Sequence, residues 1–107
     1  MPLYMDRHNI PGLTVRDAAN AHSKDLEIEE HYGCRFITYW VDEERGNVFC
    51  LIQSPNKQVV SEVHNKAHGL IPHDIIEVDG SVVKAFLGRI NIKLWFVNEY
   101  DFAYGVE

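Results

Sequence analysis

A chain of 107 residues with 46% hydrophobic and 24% charged side chains can close one hydrophobic core and is too apolar to stay disordered. Its net charge of −6 disfavours nucleic acid, whose phosphates are met by clustered Lys and Arg, and makes cations the expected partners. No apolar run approaches the roughly 20 residues of a spanning helix, and MPLYMDRH lacks the hydrophobic centre of a signal peptide, so no membrane contact and a cytoplasmic location are expected.

In chain order, LYMDRH reads as a first strand that stops before Pro11 and Gly12. Period two puts Tyr4, Asp6 and His8 on one face and Leu3 and Met5 on the other, leaving open which face meets the helices. Thr14 is placed to cap a helix. Val15, Ala18, Ala19 and Leu26 recur at helical spacing, His22 falls on their stripe, and Gly33 is a stop. RFITYWV and VFCLIQ are rich in β-branched and aromatic residues and flank the polar DEERGN, which predicts a hairpin with Cys50 near Val41. In that register Cys34 is beyond disulfide reach of Cys50, and reduced thiols are expected.

Ser54-Pro55 reads as the start of a second helix whose stripe of Val59, Val60, Val63 and Ala67 ends at Gly69. His64 borders that stripe and His68 closes the helix. DIIEVD predicts a short fourth strand, and SVVKAFLG one or two helical turns. The order β-α-β-β-α-β is the ferredoxin-like α+β arrangement, an antiparallel sheet with two helices on one face. Beyond it, Ile90, Ile92, Leu94 and Phe96 alternate with Arg89, Asn91, Lys93 and Trp95, predicting a fifth strand. Residues 1–88 are thus expected to form a ferredoxin-like metal-binding domain. Residues 89–107 form a C-terminal extension, either a tail packed on its own protomer or an arm that enlarges a dimer interface.

This topology draws the end of the first strand (Asp6, His8) and the end of the second helix (His64, His68) to the same end of the molecule. His64 and His68, four residues apart, share a helix face and could converge on one ion, although such pairs also arise as polar decoration at helix ends. His22 could be a hydrogen-bonded core histidine or a ligand, and Glu77 a solvated carboxylate or an oxygen donor. Cys50, among apolar neighbours, reads first as a small buried hydrophobe. No nucleophile elbow, phosphate loop or CxxC pattern is present.

Taken together, YMDRH, AHSKDLEIEEHYG, FITYWVDEERG, FCLI, VHNKAHGL and IIEVD resemble a family of small nickel-binding proteins first catalogued as a domain of unknown function. The resemblance covers about residues 1–88. It implies a ferredoxin-like protomer that dimerises through its sheet into an α/β barrel and binds nickel in homeostasis or response, and the leading reading is a non-catalytic protein that sequesters nickel. The matching positions able to donate to a metal are Asp6, His8, His22, His64, His68, Tyr39, Cys50 and Glu77. Their chemistry also suits zinc, cobalt and copper, so the preference for nickel rests on the resemblance. The tail after Gly88 departs from the pattern.

Two other functions compete. A cofactor-free dimeric α/β-barrel monooxygenase or isomerase would use His22 or His64 as general base, with Tyr39 or Trp40 orienting a small aromatic substrate. A sensory module would signal through metal-linked dimerisation. For the metal reading, replacing His64 and His68 together by alanine is expected to remove binding more than folding, because a helix end packs less than Val60 or Val63. Nickel stabilisation is expected to shrink between about pH 7.5 and 5.5, since ligand histidines must be neutral.

Overall fold

The computed structural model describes residues 1–80. Four strands, β1 (Leu3–Asn9), β2 (Arg35–Asp42), β3 (Asn47–Gln53) and β4 (Asp74–Val78), form one antiparallel sheet in the order β2-β3-β1-β4. The helices α1 (Val15–Ile28) and α2 (Lys57–Ala67) complete the ferredoxin-like α+β fold. The expected helix at SVVKAFLG and the expected fifth strand lie outside the described residues.

Local chemistry sets the helix ends. The Thr14 hydroxyl accepts from the Asp17 amide at 3.0 Å while the Asp17 carboxylate accepts from the Thr14 amide at 3.1 Å, a reciprocal cap that satisfies two otherwise orphaned donors. After Ile28 the chain tightens into a 3₁₀ turn, Glu29–Tyr32, and Gly33 ends it at φ +69°, a left-handed conformation in which glycine meets no side-chain penalty. The second helix begins later than Ser54-Pro55 suggests. Asn56 is the cap, its side chain accepting from the Val59 amide at 2.9 Å, whereas Ser54 is buried and donates to the Asn56 carbonyl.

Helix α1 departs from the expected stripe. Val15 and Leu26 are exposed, and the buried positions are Ala18 and Asp25, with Ala21, His22 and Ile28 half-buried beside them. The inward face is therefore polar at its centre, which a count of apolar residues cannot find. The hairpin also differs by two residues: Cys50 pairs with Tyr39, and Val41 with Val48, because the connecting loop spans only residues 43–46. Both cysteines are free and buried.

On β1, Tyr4, Asp6 and His8 take the helix side, where Phe36, Val48, Cys50, Ile52, Val60 and Val63 build the core. The opposite side of the sheet carries Leu3, Met5, Trp40, Phe49, Leu51 and Ile76 by register, with Trp40 45% and Ile76 59% exposed.

Candidate metal centre

The strand period that places Tyr4 in the core also drives Asp6 and His8 into it, where Asp6 is 1% and His8 3% exposed. Opposite them α2 turns His64 inward at the spacing that buries Val60 and Val63, leaving it 1% exposed. From α1, Asp25 arrives at the same point. A carboxylate and an imidazole this deeply buried must be paired.

His64 is where they meet. Its Nε2 lies 2.6 Å from Asp6 Oδ2 and its Nδ1 lies 3.1 Å from Asp25 Oδ1, so each ring nitrogen faces a carboxylate. His68, the C-cap of α2, brings Nε2 to 3.1 Å from the same Asp25 oxygen and 3.3 Å from His64 Nδ1. His68 Nδ1 accepts from the Leu70 amide at 3.1 Å. On the strand side, His8 Nε2 stands 3.4 Å from Asp6 Oδ1, which accepts from the Cys50 amide at 3.2 Å. The His8 ring meets His64 edge-on with centroids 4.7 Å apart.

Charge follows geometry. Burial opposes a charge on His64, but the bonds to Asp25 and Asp6 outweigh it and hold its pKa raised to about 9. Burial likewise pushes Asp6 and Asp25 up, yet hydrogen bonds to His64, with His8 helping Asp6 and His68 helping Asp25, leave both below the ordinary carboxylate value. With no metal bound the centre is an imidazolium held between two carboxylates. Burial, reinforced by the Asp6 charge, pushes the Cys50 thiol far up. Burial pulls His22 down.

Two groups of donors could hold an ion among the described residues: Asp6, His8, Cys50 and His64, and Asp25, His64 and His68. They share His64. Of the sequence candidates, Asp6, His8, Cys50, His64 and His68 therefore come together. His22 and Tyr39 belong to neither group, but their rings stack at 4.5 Å and line a cavity of about 20 Å³ together with His8, Asp25, Cys50 and His68. Buried nitrogens of His8 and His22, Nδ1 in each, have no hydrogen-bond partner among the described residues. Glu77 pairs with Tyr4 on the edge strand, is exposed, and joins neither group.

Asp25 is the residue sequence reasoning missed, because a carboxylate in the last turn of a helix normally faces water. The available signal was its spacing of three from His22 and seven from Ala18 on one helix face. The supposed helix-end looseness of His64 is also corrected. Its exposure of 1% matches Val60 and Val63 at 0%, since the ring points back under its own helix onto β1.

The donor set suits a divalent ion of the nickel, zinc, cobalt or copper kind: imidazole nitrogens and carboxylate oxygens on three elements, with one thiol within reach. The fold and this site define a ferredoxin-like protein with a buried carboxylate–imidazole centre able to take a metal. The family model for SCO4226-like nickel responsive proteins matches residues 4–78, and the chain belongs to that family. Among solved structures, that of SCO4226 from Streptomyces coelicolor A3(2) is similar at 32% sequence identity and a TM-score of 0.67, over 71% of this chain and 94% of that one. No curated protein matches.

Proposed function

We propose that the protein binds nickel at the centre around His64 and serves nickel sequestration, homeostasis or response without catalysing a reaction. The carrying observation is that one buried imidazole has a carboxylate on each ring nitrogen, with two further histidines and a cysteine in reach, a density of metal donors that packing alone does not require. Family membership supplies the preference for nickel. The ligands are drawn from Asp6, His8, Cys50, His64, His68 and Asp25, with His22 and Tyr39 at the cavity wall.

The cavity favours this reading over the enzyme acting on an aromatic substrate. At about 20 Å³ it accommodates a water or an ion, whereas a benzene ring occupies a cavity of about 150 Å³. The free thiols of Cys34 and Cys50 support a reducing, cytoplasmic location. Among the described residues no helix is long and apolar enough to cross a membrane. The exposed Trp40 and Ile76 on the sheet face opposite the helices support a homodimer that closes a barrel across that face. Residues 1–88 would carry the metal and 89–107 would extend the interface.

Calorimetric titration of metal-free protein with nickel, then with zinc and cobalt, tests the proposal. Saturable binding is expected, with thermal stabilisation of about 2.7 kcal/mol at a hundredfold excess over Kd. Absence of saturable binding by all three ions would sink it. A larger stabilisation by zinc would keep the site and remove its nickel preference.

A further inference from the structure

The two nitrogens of His68 are already committed. Nε2 lies 3.1 Å from Asp25 Oδ1 and Nδ1 accepts the Leu70 N–H at 3.1 Å. A neutral imidazole carries one proton, so this arrangement places it on Nε2, donated to Asp25. The acceptor at Nδ1 closes the turn His68-Gly69-Leu70 that leaves α2 toward β4.

Asp25 Oδ1, His64 Nδ1 and His68 Nε2 form a triangle with sides of 3.1, 3.1 and 3.3 Å. Donors about 2.0–2.2 Å from a shared tetrahedral or octahedral ion stand about 2.8–3.6 Å apart, so the triangle needs almost no adjustment to become one face of a coordination shell. On the far side of His64, Asp6 Oδ2 at 2.6 Å accepts from Nε2 and holds a proton there, so that Nδ1 is the nitrogen that would face the ion. Asp25 and His68 also border the cavity, as does Leu70.

We propose that an ion held by Asp25, His64 and His68 throws the turn after α2 into a second conformation, because His68 cannot coordinate through Nε2 and still accept the Leu70 amide through Nδ1. Coordination takes the Nε2 lone pair and moves the ring proton to Nδ1. Two N–H groups then face each other across 3.1 Å, and the turn must part them. In the loaded site His64 would keep the Nε2 proton shared with Asp6, with any proton on Nδ1 passing to solvent. Gly69 is suited to the change: it sits at φ +82°, and a Cβ placed there would meet nothing within 4 Å, so the turn is not wedged by neighbours. Metal occupancy is thereby written into backbone geometry between α2 and β4, which gives a metal-responsive protein something for a partner to read.

The inference rests on the metal-binding proposal above, and one experiment separates them. Full-length protein labelled with ¹⁵N is titrated with zinc, which is diamagnetic, and the imidazole tautomers and backbone amide exchange are followed by NMR. His68 is expected to pass from the Nε2–H to the Nδ1–H tautomer. The Leu70 amide is expected to exchange at least about tenfold faster while amides in the middle of α2 keep their protection. Asp25→Asn is expected to weaken zinc at least about tenfold. Saturable zinc binding with an unchanged His68 tautomer and a protected Leu70 amide overturns the switch and leaves the metal proposal standing. Failure of the wild-type protein to bind zinc, nickel or cobalt overturns both.

Discussion

At the scale of residues, His64 is a structural ion, set between the carboxylates of Asp6 and Asp25. Truncating it takes from two buried carboxylates the imidazolium that both face, so His64→Ala is expected to cost about 3–5 kcal/mol in urea unfolding of the metal-free protein. His68→Ala leaves Asp25 its bond to His64 and is expected to cost only about 1–2 kcal/mol. Equal costs for the two would mean that His64 is no more structural than its neighbour. The sign of the pH dependence follows from the same groups. A His64 pKa raised to about 9 contributes stability that is fully present below the unfolded value of about 6.5 and is lost as pH rises through about 9. Asp6 and Asp25, held below 3.8, contribute above that value and lose their contribution as pH falls through their lowered pKa values. Metal-free protein should therefore lose thermal stability between about pH 6.5 and 9. Because nickel must displace the His64 proton, the nickel-induced shift should keep growing over that interval, higher than the window expected for unperturbed histidines. A shift already level at pH 7 would contradict a coordinated His64.

At the scale of elements, much was legible because pattern and chemistry agreed. The alternation of β1, the β-branched runs of β2 and β3, the Thr14 cap and the Gly33 stop each point to one answer, and the strand order follows from their sequence. Other features were not legible, for physical reasons. The inward face of α1 includes the buried Asp25 in its last turn, so apolar periodicity assigned Val15 and Leu26 to a core they do not enter. Which face of β1 meets the helices depended on a polar pair being bought in by partners from two other elements. The hairpin register turned on a loop length that DEERGN does not specify, with a bulge between Phe36 and Thr38 altering the pairing further. The caps offer a direct check: Thr14→Ala and Asn56→Ala are each expected to cost about 1 kcal/mol, while Ser54→Ala should act through its lost buried bonds and not through helix α2 initiation. Helix-selective loss of amide protection in the Ser54 variant would reverse that assignment.

At the scale of the whole molecule, the sheet has one side engaged with the carboxylate–imidazole centre and another bearing Trp40 and Ile76 toward solvent. Placing a charge on that side, as in Ile76→Asp, should weaken self-association at least about tenfold with little change in metal affinity, because β4 contributes no member of either donor group. Sedimentation equilibrium across micromolar concentrations reads the result. A wild-type monomer, with and without nickel, would remove the barrel from the account.

The meeting of β1, α1 and α2 on a single imidazole also limits how this protein can change over generations. Single substitutions at Asp6, Asp25 or His64 unbalance the buried charges, so losing the proposed metal site through these three residues passes through less stable intermediates. A viable exit needs concerted replacement. Asp6→Val, Asp25→Leu and His64→Leu together remove the carboxylate–imidazolium–carboxylate triad and substitute apolar volume, and buried ionic triads replaced in this way often come out neutral or more stable by about 1–4 kcal/mol. The triple variant should fold and ignore nickel, while each single replacement is less stable than the parent. If the single variants fold as well as the triple one, the junction imposes no such barrier and the centre could be lost gradually.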